Sequence, residues 1–333
     1  MSVNEDAADV LIGHRLELLR YEAGAAEELV AVYERAFSDV LAALRAAEAR
    51  NAAPSTLDRL RVSLGALDAR LRDALRLASE TLDARLAEAG TAEATLQSGR
   101  LSRAIGIDLA TVPEERVLAM LRTPLGGEAW SSRLATDLYT ARNDIVGALA
   151  RGLAEGASVP RLARMLREAT AIHETYRGRM VAIARTEVQR IANDVAMASY
   201  AANDDILSGV QWLATLDTRT CLVCAPRHNE VYRLTGLDRR PPLHPRCRCF
   251  LTPVVRPWSE LGGRVPRAAR GAYTGQPAND TDFDAWLRRK PAAVAREVLG
   301  DARYALWRDG VALDRFTDGR RVLRLGELSA LAA

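Results

Sequence analysis

A mainly α fold is predicted, with long N-terminal helices, a small cysteine-bearing α+β module and a C-terminal helix–hairpin. Three observations lead to it. Apolar residues recur at the helical 3,4 spacing through most of residues 8–98. Period-two alternation is confined to short stretches near 210–216 and 251–255. All four cysteines crowd into the turn-rich stretch 219–249. The chain is accordingly divided at 1–123, 124–255 and 256–333.

In the first region, Leu29, Val32, Tyr33, Ala36, Phe37, Val40, Leu41 and Leu44 fall on one helical face, with Glu and Arg opposite. Pro54, Ser55 and Thr56 interrupt it, and a second stripe follows through Leu57, Leu60, Leu64, Leu67, Leu71 and Leu75. Two long antiparallel helices, packed through these stripes, are the simplest arrangement. Thr111-Val112-Pro113-Glu114-Glu115 reads as a helix start with an acidic first turn. Pro124-Leu125-Gly126-Gly127 marks a boundary. Helices are expected from Trp130 to about Ala154 and from about Arg177 to Ala202, with Ser158 and Pro160 opening a helix between them. Strands follow at 210–216 and 251–255, loop over 256–280, a helical pair over 282–309, and two strands at 313–316 and 321–325 flanking Asp318-Gly319.

Composition narrows the function. The 333 residues carry 46 Lys+Arg against 43 Asp+Glu, a formal net charge of +3, with 48% hydrophobic residues. That excludes a disordered polyelectrolyte, a collagen-like fibre and a cysteine-dense secreted mini-protein. Lys290 is the single lysine, so the positive charge is nearly all arginine. With alanine also abundant, this is the bias of a GC-rich genome and no argument for nucleic acid. A charge of +3 over this length attracts phosphate weakly, and 5% aromatic residues are few for a single-strand stacking platform. No apolar run is long enough to cross a bilayer, and the start Met1-Ser2-Val3-Asn4-Glu5-Asp6 is acidic where a signal peptide is basic. The expectation is a soluble, non-exported chain without membrane contact.

The chemistry lies in the cysteines. Cys221 and Cys224 form a C-x-x-C, and His244, Cys247 and Cys249 form H-P-x-C-x-C about twenty residues later. A C-x-x-C on a tight turn aims two thiolates at one point, as tetrahedral zinc requires. Side chains two apart on an extended segment face the same way, so Cys247 and Cys249 can reach the same ion, with His244 as competing ligand and Pro242 and Pro245 holding the segment extended. The stretch holds seven arginines against Glu230 and Asp238, a net +5 that offsets the charge of a zinc thiolate centre. Disulfides and plain packed thiols are the other readings. Five crowded donors favour a closed structural site, a zinc-knuckle-like module, over an open catalytic one.

Little points to an enzyme. His14 and His173 sit in helical patterns, and His228, beside the cysteines, has no partner carboxylate at a readable spacing. A phosphate loop, a nucleophile elbow and H-E-x-x-H are all missing from the sequence.

The order of motifs is more specific than any one of them. Arg185-Thr186-Glu187 on a helix precedes Trp212, then Asp217-x-Arg219-Thr220-Cys221-x-x-Cys224, then Pro242-x-His244-Pro245-x-Cys247-Arg248-Cys249. Trp130-Ser131-x-Arg133 and Gly152-Leu153-x-x-Gly156-x-Ser158 lie upstream; Trp286-Leu287-x-x-Lys290-Pro291, Leu299-Gly300 and Leu313-x-Arg315-Phe316 lie downstream. Over about 125–325 this resembles the minor head, or head morphogenesis, proteins of tailed phages, the group typified by the F protein of phage Mu. The resemblance implies a structural virion protein in few copies, acting at or near the portal in head assembly and in DNA packaging or ejection. It implies the portal protein as partner, with scaffold or major capsid protein as further partners and the host cytoplasm as the place of assembly. A metal-stabilising role for the Cys/His module is also implied.

Further expectations follow. Glu187 is expected to meet Arg219 or Arg248 and tie helix to knuckle, against an ordinary surface ion pair. Trp130 and Trp212 are expected in the core. The N-terminal helices are expected to dock on the portal or on neighbouring copies. The alternatives are a DNA-contacting protein of the capsid interior using the basic cysteine-rich module, and a metal-dependent nuclease or toxin-like enzyme, for which the stretch after Leu325 leaves no appended domain.

Overall fold

A computed structural model describes residues 3–49, 56–122, 129–155, 161, 164–165, 170–235, 239–257, 260–261, 283–318 and 321–328. The expected boundary at 124–127, the helix opening at 156–160, Gly319 and most of the 256–280 loop lie outside these residues.

Among the described residues the fold is mainly helical, with one small antiparallel sheet. The helices α1 (Val3–Ala49) and α2 (Thr56–Leu96) are the long pair read from the apolar stripes. A π-helical turn (Gln97–Leu101) leads into α3 (Ser102–Ile105), then α4 (Glu114–Leu121), α5 (Trp130–Ala154) and α6 (Thr170–Ala201). The sheet comprises β1 (Leu207–Leu213), β2 (Val231–Tyr232) and β3 (Phe250–Val255), in the order β2-β1-β3. Three short helices follow where a pair was expected: α7 (Phe283–Arg288), α8 (Ala292–Leu299) and α9 (Asp301–Arg308). A final turn of helix, α10, spans Leu325–Leu328.

The chain forms two compact units, whose boundaries fall inside α1, α2, α4 and α6. One unit contains 17–90 and 115–191 and is wholly helical among the described residues. There α1 and α2 run antiparallel: the Arg85 guanidinium donates to Glu28, and the Tyr21 hydroxyl donates to the Arg85 carbonyl (2.9 Å) and to Glu88 (2.6 Å). Leu29, Val32 and Tyr33 are buried from the first expected stripe. In α2, Ala74, Ala78, Leu82, Leu86 and Ala89 are buried, while the side chains of Leu57, Leu60, Leu64, Leu67 and Leu71 from the second expected stripe lie outside those described. Gly90 lets α2 come close: a Cβ there would lie 2.6 Å from Val117 and 3.1 Å from Ile191.

Glu187 lies in this unit, and the expected tie to the cysteine module is not what forms. Its carboxylate accepts from Arg190 (2.6 Å) and from Arg133. Arg190 in turn donates to the carbonyls of Met120 (3.0 Å) and Leu121 (3.3 Å), capping the end of α4. The side chains of Glu187 and Arg190 are 1% and 3% exposed, so this is a buried ion pair and not an ordinary surface one. The reason is periodicity. Arg190 is one helical turn from Glu187 on the same helix, whereas Arg219 and Arg248 are claimed by Asp217.

The other unit contains 1–16, 91–114 and 192–333 and holds the sheet and every cysteine. Val3, Ala7 and Leu11 form a period-four stripe that packs in one core with Trp212, Leu251, Val255 and the cysteines. The start of α1 also closes the sheet. Residues 249, 251, 253 and 255 turn their backbone groups away from β1. The Arg15 guanidinium donates to the Cys249 carbonyl (3.4 Å), Tyr200 donates to the Leu251 carbonyl (3.2 Å), Pro253 has no N–H, and the Val255 N–H donates to Asn4 (3.0 Å). An exposed edge that would template another strand is thereby satisfied from within. A second core gathers Leu222 and Ala225 with Phe283, Leu287, Leu299, Trp307, Leu313 and Phe316.

The C-terminal hairpin was expected from Asp318-Gly319. The turn region is present in part: the Arg321 N–H donates to Asp318 Oδ1 (2.9 Å) and Thr317 bridges Val322. The strand at 313–316 is instead a 3-10 turn, Leu313–Phe316, and residues 325–328 are helical. Leu313 and Phe316 are three apart, so one helical turn buries both, where a strand would send them to opposite faces.

Candidate metal centre

The site begins where β1 ends. Asp217 Oδ1 accepts the Arg219 N–H (2.9 Å), the Thr220 N–H closes onto the Asp217 carbonyl (3.1 Å), and the side chains of Thr220 and Asp217 meet at 3.3 Å. This Asx turn delivers the chain into a second turn, in which the N–H groups of Cys224 (3.1 Å) and Ala225 (2.9 Å) both donate to the Cys221 carbonyl. Leu222 and Ala225 pack into the C-terminal core, and the two cysteines join the core built around the sheet.

The second arm is a turn before it is a strand. The Cys247 N–H donates to the His244 carbonyl (3.1 Å), with Pro245 at the first central position and Arg246 at φ 59° at the second. That is the pattern of a type II turn, which favours proline first and a left-handed residue next. The sequence pointed to an extended segment held by the prolines; Pro245 acts here as a turn former, and regular strand starts only at Phe250.

These two turns bring all five donors together. His244 Nε2 lies 3.1 Å from Cys221 Sγ and 3.3 Å from Cys224 Sγ, and Cys224 Sγ lies 3.8 Å from Cys247 Sγ. Two triads, Cys221–Cys224–His244 and Cys224–Cys247–Cys249, share Cys224, and within each the donor atoms lie within 4.8 Å of one another. A cluster of this kind is able to hold a metal ion. The four thiols are free, and 3.8 Å is far beyond a disulfide bond of about 2 Å. The same separation fits the S···S edge of a zinc tetrahedron, about 3.8 Å for Zn–S bonds near 2.3 Å. Cys224, Cys247 and Cys249 are buried, and Cys221 and His244 are half-buried, as a closed structural site requires.

Crowding sets the charge pattern. The Cys221 thiol is drawn down to about 4 by its hydrogen bond with Cys224 and then by His244, against the cost of burial. The Cys224 thiol is pushed far up because Cys221, Cys247 and Cys249 surround it. Cys247 is held well below the thiol range by Cys224 and Cys249. Cys249 feels a lowering contact from Cys224, but Cys247 and burial outweigh it and push the thiol up. His244 is raised to about 11 by Cys221 and then Cys247. Neighbouring thiolates repel in a buried site, and a divalent cation would relieve that repulsion.

Trp212 is fully buried and meets Tyr232 edge-on with ring centroids 6.4 Å apart, so its expected core role holds; Trp130 is likewise buried at 6% exposure. His228 Nδ1 accepts the Ala214 N–H (3.1 Å), which fixes the loop after β1. The basic stretch is partly consumed by the fold. Arg248 grips Asp217 with two 2.6 Å hydrogen bonds, Arg240 pairs with Asp194 at 3.0 Å, and Arg227 lies over the Trp212 ring. Arg15 and Asn4, which hold β3, escape a sequence reading because they sit more than two hundred residues away. The Asp217…Thr220 turn was legible as an aspartate and a threonine three apart before the C-x-x-C.

Residues 143–252 match a family model described as Phage Mu protein F like protein. The matched segment contains Arg185-Thr186-Glu187, Trp212 and all five donors; Trp130-Ser131-x-Arg133 and the motifs after Trp286 lie outside it. No curated protein and no solved structure matches the chain.

Proposed function

We propose that this chain, which carries a Mu F-like segment over about a third of its length, is a minor structural protein of a tailed-phage head. It acts at or near the portal during head morphogenesis and DNA packaging or ejection, and contacts the portal protein and neighbouring head proteins. The observation that carries the reading is the coincidence of the matched segment with the convergent cysteine cluster.

In this reading the cluster is a structural zinc centre. Cys221, Cys224 and Cys247 supply three thiolates. His244 is the fourth ligand: its Nδ1–H donates to the Pro245 carbonyl (2.9 Å), so the proton that metal displaces is the one on Nε2, which faces two of the sulfurs. Cys249, within 4.8 Å of Cys224 and Cys247, is a fifth donor. Bound zinc would clip the two turns together and stabilise the module; with four protein ligands it leaves no open position for catalysis.

The test has two parts. Purified heads should contain the chain, with cross-links to the portal protein; heads that assemble normally and lack it would refute the head-protein reading. Metal analysis of the purified chain should give about one zinc per molecule, lost in Cys221→Ser. Docking by the long helices must be tested by shortening residues 17–90 only. Deleting 1–120 would also remove Asn4, Arg15 and the stripe that completes the cysteine-bearing unit.

Exposed Arg219, Arg233, Arg239 and Arg246 support a second reading, weak contact with packaged DNA. It predicts binding that falls steeply with salt, and salt-independent behaviour would remove it.

A further inference from the structure

We infer that Arg15, in the first helix and far outside the Mu F-like segment, is a positioning residue of the metal centre. The inference rests on the zinc reading above. Arg15 follows Val3, Ala7 and Leu11 on the same period-four stripe, so burial of that stripe carries its side chain into the module, where it is 5% exposed. There its Nη2 donates to the carbonyl of Cys249 (3.4 Å), and its guanidinium lies 5.7 Å from the centre of the Phe250 ring. It therefore holds the two residues that follow Cys247 and Arg248, at the point where the second cysteine arm enters β3.

A buried guanidinium at this place fixes the arm that carries Cys247 and Cys249. Outer partners of metal ligands commonly change metal affinity by 10–100-fold when removed. By reciprocity, metal binding must in turn tighten the start of α1 against the sheet.

The experiment measures zinc affinity of the full chain by competition with a chromophoric chelator. The Co2+ form supplies the spectrum of its thiolate bands. Wild type is compared with Arg15→Gln, Arg15→Lys and Asn4→Ala. Asn4→Ala loosens the same helix without altering charge, since Asn4 only accepts the Val255 N–H. Arg15→Gln should bind about tenfold more weakly or worse, while Arg15→Lys and Asn4→Ala stay within about threefold of wild type. Equal affinity of Arg15→Gln and wild type would overturn the inference, and so would an equal loss in Asn4→Ala. Should Arg15→Gln not fold, amide exchange on wild type decides. Chelation should speed exchange of the residues around Arg15 about tenfold or more, and unchanged exchange there overturns the inference. A wild-type chain that binds neither metal fails at the earlier step and removes the zinc reading itself.

Discussion

Arg248 grips both carboxylate oxygens of Asp217 at 2.6 Å, tying the turn before Cys221 to the residue between Cys247 and Cys249. The two cysteine arms are thus joined by a charge-assisted fork as well as by their shared donors. Asp217 also orders the approach to Cys221 through the Arg219 N–H.

Replacing Asp217 by Asn should lower stability by about 1 kcal/mol, a value reduced because the aspartate is a third exposed. Arg248 holds the Asp217 carboxyl below its ordinary range, against a smaller effect of burial. A depressed carboxylate stabilises fully above the unfolded value near 3.9, and that contribution fades as pH falls through the folded one. The urea midpoints of wild type and Asp217→Asn should therefore differ at pH 6 and converge toward pH 3. A gap that persists undiminished at pH 3 would contradict this.

Glu187→Gln should be costly. It leaves the Arg190 side chain, 3% exposed, and Arg133 facing a neutral amide. Breaking such a buried pair costs about 3 kcal/mol or more. Zinc content should not change, because the arginines of the cysteine module use Asp217 and Asp194. Thermal melting beside metal analysis checks both; loss of metal in a still-folded Glu187→Gln chain would show a coupling that these contacts do not provide.

Two glycines should respond in opposite ways to alanine. At Gly209 a Cβ would lie 2.3 Å from the Tyr232 carbonyl oxygen, so Gly209→Ala must push β2 away, costing about 2 kcal/mol. Gly24 in α1 is exposed with nothing within 4 Å of the added atom, and Gly24→Ala should gain about 0.5–1 kcal/mol from helix propensity. Denaturant midpoints of the two variants should move apart, and movement in the same direction would fault the local packing described here.

Stripping metal with a chelator should lower the melting midpoint, and stoichiometric zinc should restore it. His244→Ala should weaken binding more than Cys249→Ser. The reverse order would assign the fourth position to Cys249 and release the imidazole.

The sequence made the cysteine module legible because its cues are local. C-x-x-C and the alternation around Trp212 each state a geometry within a few residues, whereas H-P-x-C named donors but not the turn that Pro245 and Arg246 form. The long helices were equally plain, since 3,4 spacing persists over many turns. The pairing around Asp318 forms, with Thr317 against Val322, but an Asp-Gly pair does not specify what flanks the turn, and Leu313 and Phe316 lie in one helical turn that packs with Trp307.

What the sequence by itself determined was the inventory: helical face, donor set, tight turns and the motif order that resembles the Mu F-like proteins. Tertiary structure alone decided which charges meet. Glu187 turned to Arg133 and Arg190, Asp217 took Arg248, and Arg15 crossed 234 positions to reach Cys249. Periodicity tells a residue which face it occupies, but a partner is chosen only when burial brings two faces together and the loss of water makes an unmatched charge intolerable.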